Sequence, residues 1–133
     1  MCTTTIEDFR KDRERLNEIV LRYAGKITKR TYSLDTQCYR EGVLPVKQKE
    51  LLGLVASFVL RCDDCVRYHL DRCHQEGITT QELAEALDIG VLVGGTITIP
   101  HLRRAFQVWE KLLDGEEDDE MSEDQNINAG VMN

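Results

Sequence analysis

Two cysteines, a histidine and a glutamate stand at spacings that a helical protein can bring to one place. Cys62 and Cys65 are three positions apart, and His69 follows Cys65 by four. Residues three and four apart lie on one face of a helix, so these three side chains are expected to point the same way. Glu50 lies twelve positions before Cys62, on a separate apolar segment. We interpret the four residues as one candidate catalytic group.

These residue types are suited to thiol chemistry. A cysteine attacks as the thiolate, a nearby imidazole can accept its proton, and a carboxylate can orient the imidazole. A helix that starts near Cys62 would also direct unpaired backbone N–H groups at the sulfurs and favour the thiolate. Attack on a peroxide gives a sulfenic acid, which a second thiol closes to a disulfide. Cys62 has the right spacing to be that second thiol, so the sequence predicts a redox dithiol with its own base.

Zinc binding is an alternative use of the same side chains. Cys62 and Cys73 are eleven residues apart, which is about 16 Å along a helix and too far for one tetrahedral ion. A site built from Glu50, Cys62, Cys65 and His69 remains geometrically open. We favour redox use, which needs no metal and no organic cofactor, so neither is expected.

The same residues also have structural interpretations. Free cysteines are often small buried residues, and the two candidates could simply pack in the core. Glu50 could pair with an arginine such as Arg61 or Arg67. Cys73 is expected to pack in the core, and His101 to have a surface or packing role. The catalytic interpretation is favoured because all four candidates lie at mutually compatible spacings.

The composition is that of a soluble globular protein. The chain has 133 residues, of which 41% are hydrophobic and 31% charged, enough for one domain with a core. No stretch approaches eighteen consecutive apolar residues, and the N-terminus leads into a charged segment, so neither a membrane span nor a signal peptide is expected. A cytoplasmic location follows. There, the five cysteines are not expected to form a disulfide scaffold.

The net charge of −7 belongs to the C-terminal tail. Residues 116–133 hold seven acidic side chains and no basic one, which leaves 17 acidic and 17 basic residues in the body. A neutral body with scattered basic residues argues against nucleic-acid binding. Residues 115–133 also lack periodicity and are predicted to be disordered. The expected organisation is one domain over residues 1–114, followed by this tail.

Hydrophobic periodicity predicts about six helices and no strand, so the predicted fold class is all-α. Start and stop signals place the helices over residues 6–23, about 28–40, 45–60, 62–77, 79–94 and 100–113. The apolar residues of the third helix cover most of its circumference, which predicts that it is largely buried. Glu50 falls on the same stripe as Leu54 and Phe58, so this carboxylate is expected to face inward.

Further features accompany the candidate catalytic group over about residues 43–106. They are the spacing Glu50-x11-Cys62-x2-Cys65-x3-His69, the following Gly77, the Thr-x-x-Glu start of the next helix, and Gly94-Gly95. Together they resemble the carboxymuconolactone decarboxylase family, and specifically its alkylhydroperoxidase AhpD-like branch.

The resemblance implies an all-α AhpD-like bundle whose subunits assemble as homo-oligomers, trimers or hexamers. It also implies a thiol-dependent peroxidase or disulfide oxidoreductase with an antioxidant role. By position, Cys65 resembles the thiol that attacks peroxide, and Cys62 the thiol that forms the redox disulfide and exchanges with partners. His69 and Glu50 resemble the proton relay. The implied partners are a hydroperoxide substrate and a thiol electron donor or peroxiredoxin.

One position departs from the AhpD pattern. AhpD has a histidine directly before its second cysteine, where this chain has Asp64. A negative charge beside the dithiol disfavours the thiolate. The lactone-decarboxylase branch lacks the two cysteines, so decarboxylation is not expected. The remaining alternatives are a non-catalytic or metal-binding oligomeric module, and a non-redox lyase that uses His69 and Glu50.

Overall fold

The computed structural model of the chain describes the backbone of residues 5–130 and the side chains of residues 5–115. Over residues 5–130 it has six α-helices and no strand, which confirms the predicted all-α class. The helices are α1 Ile6–Tyr23, α2 Lys26–Cys38, α3 Val46–Val59, α4 Asp63–Gln75, α5 Thr80–Gly94 and α6 Ile99–Gly130, with a 3₁₀ turn Thr96–Thr98 before α6. None of the helices described there combines the length and apolar character needed to cross a bilayer.

The core lies between α3, α4, α5 and α6. Burial of each large apolar side chain in it contributes about 1.5–3 kcal/mol. The indole Nε1 of Trp109 also donates to Thr80 Oγ1 at 3.0 Å, which ties α6 to the start of α5. Cys73 is fully buried, so its predicted packing role is confirmed. The fully buried side chains include Leu54, Phe58, Leu70, Cys73, Leu83, Leu87 and Trp109.

Helix α1 begins where the sequence predicts, because Thr5 caps it. The Thr5 hydroxyl accepts from the Asp8 backbone N–H at 3.1 Å, and the Asp8 carboxylate accepts from the Thr5 N–H in return. Farther along α1, the Arg10 guanidinium donates twice to Asp71 of α4, at 2.8 and 2.6 Å. The Asp71 carboxylate is buried, so this bidentate pair fixes α1 on the bundle.

Helix α3 is less buried than its composition predicts. Its buried residues are Glu50, Leu54 and Phe58, whereas Leu52 on another side is exposed. The expectation of a largely buried helix is therefore wrong for the single chain. The reason is that α4 and α5 pack on one side of α3 and leave the opposite side open.

A tight turn joins α3 to α4 and makes them neighbours, as the short link predicts. The Cys62 N–H donates to the Ser57 carbonyl at 3.1 Å, and the Arg61 N–H donates to Phe58 at 2.9 Å. Arg61 has a φ of 60°, in the left-handed region that residues other than glycine adopt at a cost. Cys62 is then the N-cap of α4, one position before the first helical residue.

Helix α2 is held by polar contacts, since none of its residues is buried. Tyr32 is only half-buried and Leu34 is exposed, and the helix ends at Cys38, two residues earlier than predicted. Lys49 of α3 explains that end, because its Nζ donates to the carbonyls of Cys38 and Arg40 at 2.8 and 2.7 Å. A lysine at a helix C-terminus satisfies carbonyls that have no partner within the helix.

The last helix is longer than predicted. The sequence ends it at Leu113, whereas its backbone remains helical to Gly130. No proline interrupts residues 114–130, and Gly115 alone does not stop the helix. The side chains of residues 116–133 and the backbone of the final three lie outside the described part of the chain, and the acidic tail as a separate region stays a prediction.

Candidate active site

The facing sides of α3 and α4 bring Glu50 and His69 together in the interior. Glu50 Oε2 lies 2.9 Å from His69 Nδ1, and the two residues are only 2% and 7% exposed. A carboxylate can only accept here, so Nδ1 carries the proton and Nε2 presents its lone pair. This is the arrangement of a base and the group that orients it.

The second oxygen of Glu50 faces an arginine that the sequence analysis did not identify. Arg72 Nε lies 3.5 Å from Glu50 Oε1, and the other guanidinium nitrogens contact Gln75 at 2.6 Å and Glu76 at 3.0 Å. The arginines that the sequence suggests as partners of Glu50 are Arg61 and Arg67. Arg72 follows His69 by three positions, so the helical period alone would have placed it on the same face. Its positive charge compensates the buried carboxylate.

The cysteines occupy the first turn of α4. Cys62 and Cys65 are paired as a disulfide, with their Cα atoms 5.3 Å apart. The Cys65 backbone N–H points at the Cys62 sulfur at 3.3 Å, so the sulfur takes one of the unpaired donors of the helix start. After reduction, this position stabilises a thiolate on Cys62.

A tyrosine completes the surroundings of the imidazole and has no signal in the sequence. The Tyr39 hydroxyl lies 3.3 Å from His69 Nε2, and the two ring centroids are 5.2 Å apart. Since Nε2 is the unprotonated nitrogen, the hydroxyl donates to it. Tyr39 is thirty residues from His69 and follows the last residue of α2, so no helical spacing connects them.

A glycine makes this close approach possible. A Cβ placed on Gly53 of α3 would lie 2.5 Å from the Tyr39 hydroxyl and 2.8 Å from Cε1 of His69. Neither distance is compatible with a side chain at position 53 unless both rings move. A glycine inside an apolar helix indicates close approach of another group, and this signal was present in the sequence.

A cleft of about 850 Å³ opens beside the dithiol, between α1, α2 and α4. Cys65 and His69 line it, together with Asp64, the residue that departs from the AhpD pattern. A second cavity of about 450 Å³ is lined by Tyr39 and Glu50 but by neither Cys65 nor His69. Cys65 and Tyr39 therefore line different cavities. The other side chains of the larger cleft include Phe9, Arg13, Leu16, Leu21, Tyr32 and Tyr68.

Burial decides the protonation of two groups next to the site. It raises the pKa of Tyr39, and the nearby carboxylates of Asp35 and Glu50 raise it further, so the phenol remains a hydrogen-bond donor. Burial also raises the pKa of Cys73 to about 12, and Glu50 again adds to the effect. Cys73 is therefore a thiol near neutral pH and not a candidate nucleophile.

A polar cluster fixes the start of α4 beside the cysteines. His101 Nδ1 donates to Asp63 Oδ1 at 2.7 Å, and Arg104 Nε donates to Oδ2 at 2.9 Å. Burial opposes ionisation of Asp63, but the hydrogen bond from His101 and the charge of Arg104 lower its pKa below the ordinary value of 3.8. His101 joins α6 to α4 and does not line the cleft, in keeping with the surface or packing role predicted for it.

The zinc alternative can be compared with the positions of the side chains. Among the residues whose side chains the structure describes, no three of the His, Cys, Asp and Glu type are grouped as a metal ion requires. Glu50 and His69 are instead engaged with each other, and the two sulfurs are paired.

The fold and the site together define a class of protein: an all-α bundle with a Cys-x-x-Cys at a helix start and a buried His–Glu pair one turn behind it. The sequence profile of the carboxymuconolactone decarboxylase family matches residues 25–108. The chain belongs to this family. The matched region is longer than residues 43–106, over which the motifs alone carried the resemblance.

Solved structures of the family show the same fold. The TM1620 protein of Thermotoga maritima is 55% identical, with a TM-score of 0.83 over 84% of this chain and 98% of that chain. A second crystal structure of TM1620, 56% identical with a TM-score of 0.81, covers 84% of this chain and 95% of that chain; it is described as a family member for which a part in the antioxidative response has been suggested. A family protein of Legionella pneumophila, lpg0406, is 21% identical with a TM-score of 0.72 over 80% and 96% of the two chains, and shows likeness of fold.

A curated relative adds sequence similarity without a described activity. The uncharacterized protein H16_B0147 of Cupriavidus necator is 36% identical over 73 residues. The match covers 55% of this chain and 65% of the relative, so the chain spans slightly less than two thirds of that protein.

Proposed function

We propose that the protein is a thiol-dependent peroxidase or disulfide oxidoreductase of the AhpD-like branch, with Cys65 as the attacking thiol. The observation that carries the proposal is the buried contact of 2.9 Å between His69 and Glu50, one helical turn behind a paired Cys62 and Cys65. A base, its orienting carboxylate and two exchangeable sulfurs are the groups that such a cycle requires. The antioxidative part suggested for TM1620 agrees with it.

The oxidative half of the cycle uses the two cysteines in turn. The Cys65 thiol passes its proton to Nε2 of His69, and the thiolate attacks one oxygen of a hydroperoxide. The O–O bond breaks, an alcohol or water leaves, and Cys65 becomes a sulfenic acid. The Cys62 thiol then attacks the Cys65 sulfur, water leaves, and the disulfide forms. A thiol donor returns two electrons and two protons, and its own thiols are oxidised to a disulfide.

Glu50 and Arg72 balance the charge that moves during the first step. When His69 takes the proton, its positive charge lies 2.9 Å from a carboxylate that is shielded from water. Arg72 remains beside the other carboxylate oxygen, with Nε at 3.5 Å. The side chains of this relay act on Cys65 from within the bundle, while the cleft presents the sulfur to substrate.

The cleft indicates the kind of hydroperoxide. Its volume of about 850 Å³ exceeds what hydrogen peroxide needs, and Phe9, Leu16 and Leu21 give it apolar walls. We therefore favour an organic hydroperoxide. Asp64 lines the same cleft and its negative charge opposes formation of the thiolate, which makes the relay from Glu50 more necessary.

We also propose that the protein is a homo-oligomer, a trimer or hexamer. We propose a cytoplasmic location as well, because reduced thiol donors are present there. Exposed apolar side chains on neighbouring helices support the assembly: Leu52 of α3, and Ile89, Leu92 and Val93 of α5. Light scattering is expected to give a mass three or six times the 15.3 kDa of one chain. A mass of one chain would refute the assembly and leave the chemistry untouched.

Peroxide reduction with defined donors tests the function. Wild type is mixed with cumene hydroperoxide and with dihydrolipoamide, reduced thioredoxin or glutathione, and peroxide loss is followed. Cys65→Ser is expected to abolish peroxide consumption. Cys62→Ser is expected to stop turnover but to leave a sulfenic acid on Cys65 that dimedone traps. Cys38→Ser, which removes an exposed cysteine outside the site, is the matched control and should behave as wild type.

The rival functions predict no consumption of peroxide in this assay. A non-redox lyase that uses His69 and Glu50 would instead turn over its own substrate, and would keep that turnover after the thiols are alkylated. A metal-binding or non-catalytic module would consume no peroxide with any donor. Full peroxide consumption by Cys65→Ser would refute Cys65 as the nucleophile.

A further inference from the structure

Both ring nitrogens of His69 are occupied in this structure, in which the two cysteines are joined. Glu50 accepts from Nδ1 at 2.9 Å, and Tyr39 donates to Nε2 at 3.3 Å. Nε2 is the only nitrogen left to take a proton from Cys65, because Nδ1 already carries one. The Tyr39 hydroxyl and the Cys65 thiol therefore need the same atom.

The chain holds Tyr39 at this place through two independent features. Gly53 leaves the space that the hydroxyl fills, since a Cβ there would lie 2.5 Å from it. Lys49 binds the carbonyls on both sides of Tyr39, those of Cys38 and Arg40, at 2.8 and 2.7 Å. Both Gly53 and Lys49 belong to α3, the helix that also carries Glu50. One helix thus fixes the partners of both imidazole nitrogens.

We propose that Tyr39 is a positioning residue that holds Nε2 of His69 while the disulfide is closed and competes with the Cys65 thiol for that nitrogen once it is reduced. The inference rests on the proposed function for its meaning, but its geometry does not depend on peroxide turnover. Tyr39 lines the smaller cavity, whereas Cys65 lines the larger cleft together with His69, so the two competing groups border different cavities.

The exchange conserves protons and electrons. A dithiol donor reduces the Cys62–Cys65 bond with two electrons and two protons and is itself oxidised to a disulfide. The Cys65 proton then moves to Nε2, which leaves a thiolate and an imidazolium beside the Glu50 carboxylate. The Tyr39 hydroxyl loses its acceptor and keeps its own proton, because burial raises its pKa.

Several titratable or charged groups surround the imidazole of His69, and a substitution that tests Tyr39 must leave them unchanged. Glu50 faces it from α3, and Tyr68, whose ring centroid lies 5.2 Å from it, belongs to α4 like Arg72. Burial raises the pKa of Tyr39 and of Tyr68, and the charge of Asp35 on α2 raises both further. Replacement of Tyr39 by Phe keeps all of these and the ring contact, and removes only the hydroxyl. The titratable and charged groups concerned are Asp35, Tyr39, Glu50, Asp64, Cys65, Tyr68 and Arg72.

The test is the rate of iodoacetamide alkylation of Cys65 against pH, in reduced protein in which Cys2, Cys38 and Cys62 are replaced by Ser and Cys73 stays buried. Tyr39→Phe frees Nε2, so the profile is expected to move to lower pH by about 0.5–1 unit, the effect of one ordinary hydrogen bond. Tyr23→Phe is the matched control. It removes the hydroxyl of an exposed tyrosine on α1 that lines neither cavity, and is expected to leave the profile in place.

The outcomes separate the competing roles of Tyr39. An unchanged profile in Tyr39→Phe would mean that Tyr39 only packs, and a move to higher pH would mean that it passes the proton; either result overturns the proposal. An equal shift in Tyr23→Phe would mean that the loss of a tyrosine hydroxyl remote from His69 has the same effect, and would overturn the proposal as well.

Nitrogen NMR of the wild-type ring gives a second measurement that does not depend on how Tyr39→Phe folds. The His69 signals are assigned by their loss in His69→Gln. In the disulfide form, Nε2 is expected to show the shift of an unprotonated, hydrogen-bonded nitrogen, and reduction is expected to change it. A spectrum that is identical before and after reduction would overturn the proposal. Neither measurement uses peroxide, so failure of the proposed enzymatic function would be seen separately.

Discussion

His69 of α4 and Glu50 of α3 are joined across the interface of their helices, with Nδ1 and Oε2 2.9 Å apart and both side chains shielded from solvent. The contact fixes the tautomer of the imidazole and leaves Nε2 as the acceptor for the Tyr39 hydroxyl. In the proposed reaction it also gives the imidazolium a countercharge.

Glu50→Gln keeps the shape of the side chain and removes its charge. Peroxide consumption is expected to fall by about 10²-fold, since the imidazolium loses its countercharge. The Cys65 alkylation profile should move to higher pH. Glu76→Gln is the control, because Glu76 contacts the same Arg72 at 3.0 Å without touching His69. A wild-type rate and profile in Glu50→Gln would remove Glu50 from the relay.

Gly53→Ala places a methyl group against the Tyr39 hydroxyl and the His69 ring, at 2.5 and 2.8 Å. The imidazole must shift, and peroxide consumption is expected to fall by about 10- to 100-fold. Gly115→Ala is the control, since a Cβ at Gly115 meets nothing within 4 Å; helix propensity predicts a gain of about 1 kcal/mol there. Unchanged kinetics in Gly53→Ala would show that the ring positions tolerate the methyl group.

Asp71→Asn weakens the bidentate contact through which Arg10 ties α1 to α4. The free energy of unfolding is expected to fall by about 1.5–3 kcal/mol, the range for hydrogen bonds to a charged group. Urea denaturation measures it. Asp12→Asn breaks an exposed pair within α1, to Arg15 at 2.7 Å, and should change stability by less than about 0.5 kcal/mol. Equal effects of the two substitutions would mean that the Arg10 contact anchors nothing.

Asp63→Asn is expected to change the pH dependence of stability. The folded chain lowers the pKa of Asp63 below 3.8, so its contribution is fully present above that value. It is lost as the pH falls through the lower folded value. Wild type should therefore exceed the variant in melting temperature near pH 6, and the difference should vanish in strong acid. Asp88→Asn on α5 is the control, and a difference independent of pH would contradict the prediction.

The sequence predicted most of the bundle because local signals and the fold agree. Helix α1 starts at Ile6 as predicted, where Thr5 and Asp8 form the capping box. Gly77 follows α4 with a φ of 79°, in the left-handed region that glycine adopts most readily. The inward position of Glu50 followed from its place between apolar residues. These features depend on one turn of helix, which is the range over which periodicity and capping are informative.

The parts that were missed depend on contacts between distant segments. Tyr39 reaches His69 from thirty residues away, and the end of α2 is set by Lys49 of the next helix. Arg61 in the left-handed region has no local signature, since glycine is the usual residue there. The exposed side of α3 could not be predicted either, because composition shows how apolar a helix is but not which neighbours cover it.

The separation of the cleft walls from the proton-accepting residues has a consequence for altering this protein. The side chains of α1 and α2 that face the cleft, up to Thr36, make up most of its lining, whereas Glu50, Gly53 and His69 lie on α3 and α4. The cleft walls and the proton-accepting groups thus come from consecutive segments, residues 9–36 and 50–69. For the proposed peroxidase, exchange of α1 and α2 among relatives is therefore expected to alter the choice of hydroperoxide and leave the Glu50–His69 pair in place.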